Sequence, residues 1–173
     1  VQKAPLEDLM ARVKQLLSSK PSQSVLTETS IRQLLAVLLA LCYHSFDAAD
    51  AIAGISSTLI RSFVTSLEWP VPAEEMTNAS IAVQTLRINL ACAMTSRSGA
   101  KAQLQASCYD QFLRFLAIPP WRANEGATSK TIMFRITGLV MRIFESVARY
   151  GLNGSLLSTA PELWLFVGQW TGR

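Results

Sequence analysis

Few residues in this chain are of a type that can do chemistry, and their spacing decides what they can do. The single histidine, His44, closes an apolar run over 34–43. A triad would need it beside a serine nucleophile and a carboxylate such as Asp47. No Gly-x-Ser-x-Gly turn is present to expose that serine. A metal site needs several ligands at matched spacings, and none gather around His44, which is read as lying at the core edge or facing solvent. The adjacent carboxylates Glu7-Asp8 and Glu74-Glu75 could act as acid and base only if they converged in a pocket. Both pairs sit beside helix starts, where negative charge complements the positive end of the helix dipole. The glycines are scattered, and no Gly-Lys-Ser/Thr follows them to cradle a phosphate. These patterns point away from an enzyme and imply neither metal nor cofactor.

The three cysteines, Cys42, Cys92 and Cys108, are odd in number and lie within helical apolar patterns. They read as reduced core thiols rather than a disulfide framework, which suggests the cytoplasm or nucleus. The sequences Asn78-Ala-Ser80 and Asn153-Gly-Ser155 read as a helix start and a turn rather than glycosylation sites.

Basic residues are the more promising group. Residues 1–86 hold six Lys/Arg against eight Asp/Glu, whereas residues 87–173 hold ten against four. Arg135, Arg142 and Arg149 recur every seven residues, so on a helix they form one stripe at the edge of the core, with stems packed and heads in water. Arg87, Arg97, Lys101, Arg114, Arg122 and Lys130 add charge in the same half. Such a surface suits an acidic protein segment. Nucleic acid is the alternative, but few aromatics interleave with these residues as stacking platforms would, and Glu145 interrupts the stripe. The tryptophans Trp69, Trp121, Trp164 and Trp170 fall near helix ends or connectors, where they serve as core lids or as anchors for a partner. Trp69-Pro70 and Pro119-Pro120-Trp121 occupy equivalent connectors and are expected on the same edge. Trp164, Phe166 and Trp170 suggest an interface at the C-terminal end, with a homo-oligomer as one outcome.

The elements that must position these residues are helices. Half of the 173 residues are hydrophobic and 16% are charged, against about 25% charged in typical soluble domains. The longest charge-free stretch, 33–46, has 14 residues, short of the roughly 20 a membrane-spanning helix needs. No period-two strand pattern competes. Apolar positions recur at i, i+4, i+7 and i+11: Ile31, Leu35, Leu38, Cys42; then Ile81, Thr85, Ile88, Cys92; then Ile132, Ile136, Leu139, Ile143. The copies are about 50 residues apart, and only Thr85 breaks the set. A second pattern fills the gaps: Leu9, Met10, Val13, Leu17 before Pro21; Leu59, Ile60, Phe63, Leu67 before Pro70; Cys108, Tyr109, Phe112, Leu116 before Pro119. A further copy is expected over 162–170, after the capping box Thr159-Ala-Pro-Glu162. Thr27 or Thr29, Asp47, Asn78, and Thr128 or Ser129 are the expected N-caps. Gly99 and Gly151 are expected just past helix ends.

The organisation read from these patterns is a lone helix over about 5–19, then helix pairs over 29–67, 79–117 and 129–170, about seven helices in a single domain over 1–173. Helix pairs in tandem cannot each bury their apolar face alone, and stacking solves that. The pattern resembles the armadillo/HEAT superfamily, which implies an all-α fold, a short right-handed α-solenoid of stacked helical hairpins. The resemblance also implies a non-enzymatic scaffold that binds another protein. The repeated inner-helix Asn of peptide-binding armadillo proteins has no ladder here: Asn89 is matched by Leu39 and Val140. The chain lacks an initiator Met and begins and ends in mid-pattern, so it is expected to be a piece of a longer solenoid. An internal spacer or dimerisation segment is then a further alternative.

Overall fold

A computed structural model describes residues 3–18 and 26–151, and among them every regular element is helical. Eight α-helices follow in order: α1 (Lys3–Ser18), α2 (Glu28–His44), α3 (Phe46–Ala53), α4 (Ser56–Phe63), α5 (Met76–Thr95), α6 (Arg97–Ala102), α7 (Ala106–Ala117) and α8 (Ala127–Arg149). Single 3-10 turns, Ala73–Glu75 and Pro120–Arg122, precede α5 and α8.

The first two expected helix pairs are each split by one more short helix, α3 and α6, and the second member of the third pair lies outside the described residues. Thr27 starts α2, its Oγ1 accepting from the Ser30 N–H at 3.2 Å. Ser45 then ends α2 and begins α3: its backbone is extended (φ −148°), its N–H donates to the Leu41 carbonyl, and its Oγ accepts from the Ala48 N–H at 3.1 Å. Ser96 repeats the device between α5 and α6 with φ −150°, its Oγ accepting from the Gly99 N–H at 3.0 Å. A side-chain oxygen there satisfies an N–H with no helical partner.

Several expected caps are corrected. Ser45, not Asp47, caps α3, because its hydroxyl reaches the free N–H first; Asp47 lies exposed in the first turn. Asn78 is inside α5, since the preceding 3-10 turn runs straight into that helix, and it donates to Glu75 at 2.9 Å. Helix α8 starts from Gly126 without a side-chain cap, and Ser129 is buried within it. Gly99 is buried inside α6 rather than past a helix end, and a Cβ there would sit 2.0 Å from the Cys92 carbonyl oxygen. The missing side chain lets α6 lie directly on α5. Gly151, with φ 72°, does end α8 in the left-handed region. Pro21, Asn153, the capping box at Thr159 and the copy over 162–170 lie outside the described residues.

Helix α5 explains how the core is built. Twelve of its 20 residues are buried, on more than one face. Ile81, Ile88, Ala91 and Cys92 join a cluster with Met10, Val13, Leu35, Leu38, Cys42, Ile52 and Leu59. Ala82, Val83, Leu86 and Leu90 join a second cluster with Ile60, Phe112, Phe115, Leu116, Met133, Ile136, Val140 and Ile143. At roughly 1.5–3 kcal/mol per large side chain buried, these two seams dominate the favourable terms. Thr85 is tolerated at its apolar position because its hydroxyl donates to the Ile81 carbonyl at 3.0 Å.

Helix α5 packs against α2 and against α8. Arg32 near the start of α2 donates to Ser80 near the start of α5 at 3.1 Å. Cys42 meets Cys92 near their ends, so α2 and α5 run in the same direction. The C-terminal ends of α5 and α8 meet where the Tyr150 hydroxyl donates to the Met94 carbonyl at 2.9 Å. Apart from caps and the hydrogen bond that Asn89 donates to Gln103 at 2.9 Å, the polar contacts between helices span about one copy of the sequence pattern. Ser57 meets Gln105, Ser98 meets Asp50, and Trp69 Nε1 donates to the Ile118 carbonyl at 3.2 Å.

Candidate partner-binding face

The sequence places candidate residues on α5, α8 and the connector between α7 and α8, and most of them are exposed. On α8, Arg135, Arg142 and Arg149 are all exposed, with roughly 10 Å of helix rise between successive members. Between them Gly138 is exposed, with nothing near the place a Cβ would occupy. Arg149 pairs with Glu145 at 2.7 Å. Arg135 and Arg142 have no ion pair among the described residues. Arg87 is the only charged residue of α5; it is also exposed and makes no ion pair among the described residues. One sequence step relates it to Gly138, so it takes the corresponding place on its helix.

Other basic residues are committed to the fold. Arg97 donates to the Tyr150 carbonyl at 2.6 Å. Arg114 donates to the carbonyls of Leu67 at 2.7 Å and Val64 at 3.2 Å, and burial pulls its guanidinium below the ordinary arginine range. Lys101 and Arg122 are exposed and Lys130 half-buried.

The two connector tryptophans part company. Trp69 is half-buried and packs on Phe115 with ring centroids 4.8 Å apart, a core lid. Trp121 is 44% exposed, 6.4 Å from the ring of Phe134, itself 48% exposed. Phe134 precedes Arg135, so an exposed aromatic pair adjoins the arginine stripe. Trp164, Phe166 and Trp170 lie outside the described residues.

Sequence reasoning missed several exposed apolar side chains on α2 and α5. Val37, Tyr43 and Met94 are more than half exposed. Leu35, Ala36, Leu39, Ala40 and Tyr43 of α2 form one wall of a cleft of about 350 Å³, with Gln84 and Arg87 of α5 as the other. A signal for it existed: at 100° per residue, Val37 and Tyr43 fall about 120° to either side of the stripe through Leu35 and Leu38. On α2, whose buried residues Leu35, Leu38 and Cys42 share one face, an apolar residue that far from the core stripe has no core to enter.

His44 is exposed at the end of α2. Among the described residues, no three of His, Cys, Asp and Glu converge as metal ligands, and no helix is long and apolar enough to cross a membrane. A separate cleft between α3 and α6 holds Asp50, Ser98 and Lys101. There the Ser98 hydroxyl donates to the Asp50 carboxylate, and no histidine stands by to activate it. No protein-family model, curated protein or solved structure matches this chain.

Proposed function

We propose that this chain is a stretch of right-handed, armadillo/HEAT-like α-solenoid that works as a non-enzymatic scaffold, holding an acidic segment of a partner protein against the open face of α2, α5 and α8. Polar contacts between residues about 50 positions apart, such as Cys42 with Cys92 and Trp69 with Ile118, support the stacking. The observation that carries the binding reading is the set Arg87, Arg135 and Arg142: three exposed guanidinium groups with no ion pair among the described residues. Guanidinium groups favour planar, bidentate contacts with carboxylates. The exposed Phe134, next to Arg135 and 6.4 Å from the Trp121 ring, and Tyr43, which shares a cleft with Arg87, supply apolar anchors beside them, the mixture expected of an interface with an apolar centre and a charged surround. The step from fold to function is one of analogy; the charge and exposure of these side chains supply the address.

Fluorescence anisotropy tests it with three labelled probes: a Glu- and Leu-rich peptide, its Lys-substituted counterpart, and single-stranded RNA. The expected result is binding to the acidic peptide alone, weakened at least about tenfold, or ~1.4 kcal/mol, by Arg135→Glu with Arg142→Glu. Preference for RNA, with the steep salt dependence of backbone contacts, would replace the protein partner with nucleic acid.

A further inference from the structure

Cys42 and Cys92 occupy the same place in successive copies of the sequence pattern, 50 residues apart, and their sulfur atoms lie 3.9 Å from each other. In the next copy the position is Ile143, so only the contact between α2 and α5 carries a thiol pair. Both residues belong to the apolar seam to which α1 to α6 all contribute, and a small apolar side chain would fill that space as well. Two further features set the pair apart. Cys42, 5% exposed, lines a surface cleft of about 350 Å³ with Tyr43, His44, Ser45, Phe46, Ala91, Met94 and Thr95. Cys92 is fully buried behind it. Cys42 thus lines a cleft open to solvent, and the sulfur of the fully buried Cys92 lies 3.9 Å from its own.

We infer that Cys42 and Cys92 form a redox-active dithiol, a modification site at which a hydroperoxide converts two thiols into a disulfide that joins α2 to α5. Cys42 is the attacking sulfur. The hydrogen bond from Cys92 lowers its pKa, whereas Cys92 is pushed well up by the same hydrogen bond and by burial. The thiolate is the nucleophile in such chemistry. Cys42 sulfur attacks the distal peroxide oxygen; the O–O bond breaks, and the leaving oxygen takes a proton to become water or an alcohol. Cys42 is now a sulfenic acid. Cys92 sulfur then attacks the Cys42 sulfur and gives up its proton; the S–O bond breaks and the hydroxyl leaves as water. Two electrons pass from the two sulfurs to the peroxide. The bond, about 2.0 Å long, requires the sulfurs to close roughly 2 Å, shared between two side chains.

Cys108 is the internal control. It is fully buried in the other apolar seam, and burial pushes its thiol up to about 11. The experiment treats the reduced protein with hydrogen peroxide, unfolds it in denaturant, counts free thiols, and maps the linkage by peptide mass spectrometry. The expected result is a fall from three thiols to one, with Cys42 joined to Cys92 within one chain and Cys108 free. In Cys92→Ala, dimedone should trap a sulfenic acid at Cys42. Three surviving thiols in the wild-type protein, oxidation of Cys108 first, Cys42 driven to sulfinic acid while Cys92 stays free, or linkage only between chains would each overturn the proposal. The wild-type measurement decides it even if the variant does not fold. Its outcome is independent of what binds the open face.

Discussion

The guanidinium of Arg114 on α7 donates to the carbonyl oxygen of Leu67, 2.7 Å away and 47 residues earlier in the chain, and also reaches Val64. Residues Val64 and Leu67 are buried where the chain leaves α4; the Val64 carbonyl also accepts the Leu67 N–H at 3.0 Å, so the Leu67 carbonyl is the one that depends on Arg114. A cation completes that helix end, as the dipole favours.

Arg114→Leu should therefore cost about 2–3 kcal/mol, the range for hydrogen bonds to charged groups with one buried carbonyl, that of Leu67, left unpaired. Urea unfolding checks it. Arg114→Lys should recover only part of the loss, because an ammonium cannot present the same fork to two carbonyls.

Two glycines should respond in opposite directions to the same substitution. Gly99→Ala drives a Cβ into the backbone oxygen of Cys92 and should destabilise by about 3 kcal/mol, the upper end for overpacking. Gly138→Ala puts a methyl into open space in the middle of α8 and should stabilise by about 0.5–1 kcal/mol. Paired thermal melts compare the two.

Alkaline pH should weaken the fold through Cys108. Its folded pKa of about 11 lies above the ordinary value of 9.0. Below pH 9 both states hold the proton, and stability is unaffected by it. Between about 9 and 11 the unfolded chain ionises first, so stability falls as pH rises, by roughly 2–3 kcal/mol in all. Denaturation midpoints across that range should drop less in Cys108→Ala than in the wild-type protein.

The helical class and most core positions were legible in the sequence, because the i, i+4, i+7, i+11 spacing reports directly which side chains share a face. Leu35, Leu38, Ile81, Ile88, Ile136 and Ile143 are buried as that spacing requires. Positions whose role depends on a neighbouring element were not legible. Nothing local to Gly99 announces the Cys92 carbonyl beside it, and nothing local to Arg114 tells a solvated arginine from one committed to two carbonyls. The start of α3 was ambiguous because Ser45 and Asp47 are both good caps two residues apart, and only geometry chooses between them. For the proposed face, the charge of Arg87, Arg135 and Arg142 was readable, and so was the offset of Val37 and Tyr43 from the core stripe of α2, whereas the exposure of Met94 depends on where α5 meets its neighbours.

The central claim is that this open face holds a partner protein. Its most direct test compares proteins recovered from cell extract by the wild-type chain and by Arg87→Glu/Arg135→Glu/Arg142→Glu, using quantitative mass spectrometry with melting curves for both. The account predicts that specific partners fall at least about tenfold with no change in melting temperature. An unchanged set of partners, recovered in unchanged amounts, would contradict it.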